Sequence, residues 1–244
     1  MSRVAGAWAL GIGLLLIGLQ VQGAAAARRA GPPGRPAPSR TAEPHPAPTH
    51  TLLVFGDSLS AAHGLDIGQG WVALLRKRLD DKGYGYRIVN ASVSGETTTG
   101  GLDRLPRELR LHRPAIVLLE LGANDGLRGL PVEAARGRLA RMIELCRRAD
   151  ARVLLLGIRL PPNYGPRYGE PFAAMYGELS RHFHVPLVPF LLRGVALKPD
   201  LMQSDGLHPN ARGEEPVLDN VWPYLLPLLG KAPCGSDRSC KRSG

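Results

Sequence analysis

From Thr51 onward, short runs of apolar residues alternate with longer segments that are apolar on one side only. The short runs are Thr51–Phe55, Arg87–Asn90, Ala115–Leu121, Arg152–Ile158 and Pro186–Phe190. They are rich in Val, Ile and Leu without polar alternation, the pattern of strands covered on both faces. Between them lie 71–81, 101–111, 132–149, 171–183 and 214–229, with apolar residues three or four apart, as in Leu139, Met142, Ile143 and Cys146. That spacing predicts amphipathic helices. Strand and helix in alternation predict an α/β domain, a parallel sheet with helices on both faces joined by right-handed crossovers. No internal repeat is visible.

The ends of the chain break this pattern. Arg3, an apolar run from Ala5 to Leu19 and the small residues Ala24–Ala26 read as an export signal, expected to be removed after about residue 26. An uncleaved membrane anchor is the alternative, but the run is shorter than the roughly 20 apolar residues of a span. Residues 27–50 carry seven prolines and no core-forming pattern, so a disordered linker is expected there. Residues 231–244 form a basic tail, in which Cys234 and Cys240 are close enough in sequence to pair in an oxidising compartment. Cys146, on a helical face, is expected to be a buried, inert thiol.

Composition narrows the field. The chain has 244 residues, 44% hydrophobic and 21% charged, enough for one catalytic-sized domain over 51–230. Its net charge of +10 points to nucleic acid until the charges are located. Residues 51–230 carry 22 Lys and Arg against 19 Asp and Glu, so most of the excess lies in the two ends and no nucleic-acid partner is expected. Three cysteines make neither a disulfide scaffold nor a zinc ribbon. His182 and His184 flank Phe183 at a predicted helix end, without the nearby ligands a metal site needs.

In a parallel sheet, working groups gather at the carboxyl ends of the strands. Gly56-Asp57-Ser58-Leu59-Ser60 follows the first strand and Ala91 to Thr97 the second. Gly122-Ala123-Asn124-Asp125 follows the third, and Asp205-Gly206-Leu207-His208 lies near the domain's end. Alone, Ser58 reads as a helix cap, a role Asp57 or Ser60 would fill equally. The GxSxG nucleophile elbow is absent. His208 three residues after Asp205 has the chemistry of a general base beside its orienting carboxylate, which a serine nucleophile requires. Asn124 and Gly95 offer an amide and an accessible backbone N–H for a developing oxyanion. Each is weak alone; four such loops at one sheet edge are strong together. Glu120, a carboxylate among leucines, must find hydrogen bonds and is expected to play a structural part behind the site.

In this order the blocks resemble the SGNH (GDSL) hydrolase superfamily, and more closely its bacterial periplasmic thioesterase, lysophospholipase and arylesterase group. Further likeness lies in Arg159-Leu160-Pro161-Pro162-Asn163-Tyr164-Gly165, in 185–190 and in Leu197-Lys198-Pro199. The resemblance implies a flavodoxin-like three-layer α/β/α sandwich with a parallel five-stranded sheet. It implies Ser58 as nucleophile, His208 as base and Asp205 as its orienter, with an oxyanion hole from the Ser58 and Gly95 N–H groups and the Asn124 amide. It implies no metal or organic cofactor. The expected activity is an exported esterase or thioesterase, periplasmic or secreted and monomeric, acting on small acyl esters, acyl thioesters or lysophospholipids, with a lipid or membrane surface as a possible source of substrate. A carbohydrate O-deacetylase and a catalytically inactive envelope-binding protein are the alternatives. Leu160, Tyr164, Phe172 and Met175 lean toward an acyl-chain pocket. Two departures stand out: Ala123 where relatives carry Gly, and a stretch 211–216 one residue longer than usual.

Overall fold

The computed structural model describes residues 50–230, and the expected export signal, all of the linker but His50, and the tail with Cys234 and Cys240 lie outside them. Five strands form one parallel sheet: β1 (His50–Gly56), β2 (Tyr86–Asn90), β3 (Ile116–Glu120), β4 (Arg152–Leu156) and β5 (Leu187–Val188), in the spatial order β2-β1-β3-β4-β5. Six helices connect and cover them: α1 (Trp71–Asp81), α2 (Thr98–His112), α3 (Ala123–Leu127), α4 (Val132–Arg148), α5 (Pro166–Phe183) and α6 (Glu214–Leu229). Two short 3-10 turns, Ile67–Gln69 and Pro162–Tyr164, complete the set.

The three layers follow from the two-residue period of a strand. In β1, Leu52 and Val54 face one way and pack with Leu75 and Leu79 of α1 and Val217, Val221 and Leu225 of α6. Leu53 and Phe55 face the other way and pack with Leu105 of α2, Leu139 and Met142 of α4 and Phe172 and Tyr176 of α5. Ile116/Leu118 and Val117/Leu119 of β3 divide in the same manner. Both faces are covered, which is why these strands show no polar alternation.

Where the structure departs from the sequence reading, local chemistry explains it. β1 begins at His50, so the linker ends one residue early, with His50 N–H donating to the Gly85 carbonyl. α2 starts at Thr98 rather than Gly101, because the Thr97 hydroxyl caps it at the Gly100 N–H. α5 starts at Pro166 rather than Pro171. Proline favours a first helical turn, but here the helix continues through Pro171, along a row of neighbouring aromatic rings, Tyr164, Tyr168, Phe172 and Tyr176, tilted or edge-on to one another at four-residue spacing. β5 shrinks to two residues because Pro186 and Pro189, which have no N–H to donate, bracket it at the sheet edge. No helix among the described residues is long and apolar enough to cross a membrane.

Candidate active site

All the loops at the carboxyl edge of a parallel sheet emerge together, and the first holds the site's most constrained turn. β1 ends at Gly56, where a Cβ would sit 2.5 Å from Glu120 Oε2 and 2.8 Å from the Glu120 carbonyl oxygen, so only glycine fits. Asp57 and Ser58 follow. The turn is fixed from four sides. Asn90 Nδ2 donates to the Ser60 carbonyl at 2.7 Å, and Trp71 Nε1 to the Leu59 carbonyl at 3.1 Å. Glu120 Oε2 accepts from Ser60 Oγ at 2.8 Å and from the Asp57 N–H at 3.2 Å. Asp57 Oδ1 accepts from the Leu59 N–H at 3.1 Å. Glu120 thus plays the structural part expected of it, supporting the turn from below.

Ser58 Oγ lies 2.8 Å from His208 Nε2, and His208 Nδ1 lies 2.6 Å from Asp205 Oδ2. Burial opposes the charge on Asp205. The hydrogen bonds from the His208 ring and from the Leu207 and His208 N–H groups outweigh it and hold the carboxyl down at about 2. An ionised carboxylate only accepts, so Nδ1 carries the ring proton and the Nε2 lone pair faces the serine hydroxyl. The arrangement is able to take a proton from Ser58 and hold the resulting imidazolium.

Beside Ser58 and His208 opens a cavity of about 320 Å³. Its walls are mostly apolar, among them Ile158, Leu160, Phe190, Leu192 and Met202, and Asn124 also lines it. Gly95 is not part of that wall. It takes a positive φ of 81° in the loop after β2, tied to the first turn through the Val93 N–H on the Gly56 carbonyl and to Arg128, whose guanidinium donates to the Gly95 carbonyl.

Comparison with known proteins gives this geometry a lineage. Residues 54–215 match the GDSL-like lipase/acylhydrolase family. The chain belongs to that family. It is 55% identical over 183 residues to the esterase TesA of Pseudomonas aeruginosa, covering 75% of this chain and 91% of the relative. It is 44% identical over 183 residues to thioesterase 1/protease 1/lysophospholipase L1 of Escherichia coli, covering 75% and 86%. The crystal structure of TesA superposes with a TM-score of 0.72 over 73% of this chain and 99% of that one. The esterase EstA of Pseudoalteromonas sp., inhibited by monoethylphosphonate, is 40% identical with a TM-score of 0.71 over 75% and 100%. By family and relatives this acylhydrolase is a serine ester hydrolase of the α/β class.

Within this acylhydrolase, the structure corrects one part of the sequence reading and adds residues to another. Leu160 lines the cavity, but Phe172 and Met175 are core residues, and Tyr164 donates its hydroxyl proton to the Leu127 carbonyl. They are aromatic and apolar for packing, not for substrate. Sequence offered Asp57 only as a cap, whereas its Oδ2 accepts from the Asn124 side-chain amide at 3.1 Å. Burial pushes the Asp57 carboxyl up to about 6, against the hydrogen bonds of Leu59 and Asn124 and the attraction of His208. Burial likewise raises Glu120 well above the ordinary range, and the neighbouring Asp57 charge adds to it. Gln203 ties the two loops together. Its Nε2 donates to the carbonyls of His63 and Pro209, and its N–H donates to the His208 carbonyl, tying the histidine loop to the serine loop. His63 packs its ring on His208, with 4.5 Å between centroids. No local sequence pattern marks either residue, because both contacts join segments some 140 positions apart. Among the described residues, no cluster of His, Cys, Asp or Glu has the geometry to hold a metal ion.

Proposed function

We propose that this chain hydrolyses acyl esters, acyl thioesters or lysophospholipids through a Ser58–His208–Asp205 triad and an acyl-enzyme intermediate. The observation that carries the reading is the unbroken line from Asp205 through His208 to the Ser58 hydroxyl, ending at the mouth of an apolar cavity. Ser58 Oγ attacks the acyl carbonyl while His208 Nε2 takes its proton, and Asp205 steadies the imidazolium. The oxyanion is met by the Asn124 amide and by the N–H groups of Ser58 and Gly95. His208 returns the proton to the leaving alcohol or thiol. Water activated by the same base then releases the acid.

The cavity supports acyl substrates over short acetyl groups on sugars, since a deacetylase would leave this apolar volume unused. The names of the relatives, esterase, thioesterase and lysophospholipase, support the same substrate range. We also place the enzyme outside the cytoplasm as a monomer, exported by the signal read in residues 1–26; N-terminal sequencing of the soluble mature protein tests the export. The chemistry is tested with p-nitrophenyl esters and acyl-CoAs of graded chain length. Each buried methylene contributes about 0.8 kcal/mol, so kcat/KM is expected to rise through the medium-length acyl chains and then level off as the cavity fills. A preference for acetyl over every longer chain would contradict the acyl-pocket reading.

A further inference from the structure

Asp57 is buried, lies one residue before the nucleophile, and takes no part in the proton path from Ser58 to Asp205. Its two carboxylate oxygens do different things. Oδ1 accepts from the N–H of Leu59, the residue after Ser58, and Oδ2 accepts from Asn124 Nδ2 at the start of α3. One rigid group therefore spans the nucleophile turn and the amide proposed for the oxyanion hole. It is in turn anchored from below, where its own N–H donates to Glu120 Oε2.

We infer that Asp57 is a positioning residue for oxyanion stabilisation, holding one N–H of the Asn124 amide so that the other points at the developing oxyanion. The inference rests on the triad reading above. A primary amide has two N–H donors on one planar nitrogen. Fixing one against a buried acceptor fixes the direction of the second. Oxyanion donors act through prior orientation, so an amide free to rotate loses much of its worth in the transition state while contributing little to ground-state binding.

The isosteric replacement Asp57→Asn isolates this role. An asparagine there offers one acceptor and one donor, where both neighbouring groups, the Leu59 N–H and the Asn124 amide, are donors. One of the two bonds must fail. The expected result is a kcat lower by roughly 10- to 100-fold, approaching the loss from removing an oxyanion donor outright, with KM changed by no more than about threefold. Asn124→Ala and Asp57→Asn/Asn124→Ala should have nearly the same kcat, because the second change removes the object that Asp57 positions. If the two losses multiply, or if KM rises while kcat holds, Asp57 serves only to stabilise the turn and the inference is overturned. A measurement on the unaltered enzyme covers the case in which Asp57→Asn fails to fold. One side-chain amide proton of Asn124 should exchange with solvent markedly more slowly than its partner, and equal exchange of both would overturn the inference. Ser58→Ala, run alongside, separates the two ideas: turnover surviving in that variant refutes the triad itself, whereas its loss together with multiplicative Asp57 and Asn124 effects refutes the positioning role alone.

Discussion

At the scale of single residues, the proposed catalytic line depends on one tautomer of His208. The ionised Asp205 accepts from Nδ1, which leaves Nε2 free to accept from Ser58. Asp205→Asn keeps the shape of that contact but offers an amide able to donate, so the ring is no longer held to the productive tautomer. The expected outcome is a kcat lower by about 10⁴ with the fold intact, by analogy with the same change in an unrelated serine hydrolase. Steady-state kinetics with circular dichroism check it, and a loss under tenfold would mean that His208 is oriented by something else. The sequence singled out Ser58, Asn124, Asp205 and His208 because they belong to short motifs, the first two after predicted strands and the last two near the domain's end, and the structure gathers them at one sheet edge. Asp57, Gln203 and His63 were not legible in their roles. Each acts through a contact with a distant segment, and nothing in the neighbouring residues encodes it.

At the scale of elements, unbroken apolar runs located every strand and helical periodicity five of the six helices, and α6 matched from Glu214 to Leu229. It failed where tertiary contacts override propensity. α3 is too short to show a period, and its first turn carries Asn124, which lines the cavity. The early start of α5 was hidden by Pro171, whereas the contacts of its first turns, the row of aromatic rings and the Tyr168 hydroxyl donating to the Leu130 carbonyl, form only in the folded chain. Helix ends offer a cleaner test. α2 closes on Arg113, an exposed non-glycine residue in the left-handed conformation at φ 42°, with its N–H on the Leu109 carbonyl. A side chain there is strained, and glycine is the favoured residue at such a cap. Arg113→Gly is expected to stabilise the protein by up to about 1 kcal/mol, raising Tm by roughly 2–4 °C in a domain of this size, without changing kcat. A lower Tm would show that the Arg113 side chain makes a stabilising contact.

At the scale of the whole molecule, the enzyme buries carboxyl groups whose charge burial disfavours. Glu214, at the start of α6, accepts from the Trp71 N–H at the start of α1 and so joins the two helices of one layer, while burial pushes its carboxyl up to about 7. Asp57 and Glu120 are raised for the same reason. A carboxyl raised in the folded state binds its proton more tightly there than in the unfolded chain. Its stabilising contribution is therefore complete below the ordinary carboxylate range and is lost as pH rises through the folded value. For Glu214 alone this amounts to about 3 kcal/mol between pH 4.5 and 7. Tm is thus expected to fall by several degrees from pH 5 to 8, and Glu214→Gln, which still accepts from Trp71, should flatten part of that slope. Identical slopes in the two proteins would show that Glu214 ionises normally. The proposed chemistry turns on Ser58 as the nucleophile activated by His208. The most direct measurement is intact-protein and peptide mass spectrometry after treatment with a fluorophosphonate. One adduct is expected, on Ser58, formed by the wild-type enzyme and absent from Ser58→Ala, with His208→Ala labelling far more slowly. An adduct on another serine, or full p-nitrophenyl butyrate hydrolysis by a folded Ser58→Ala variant, would contradict it.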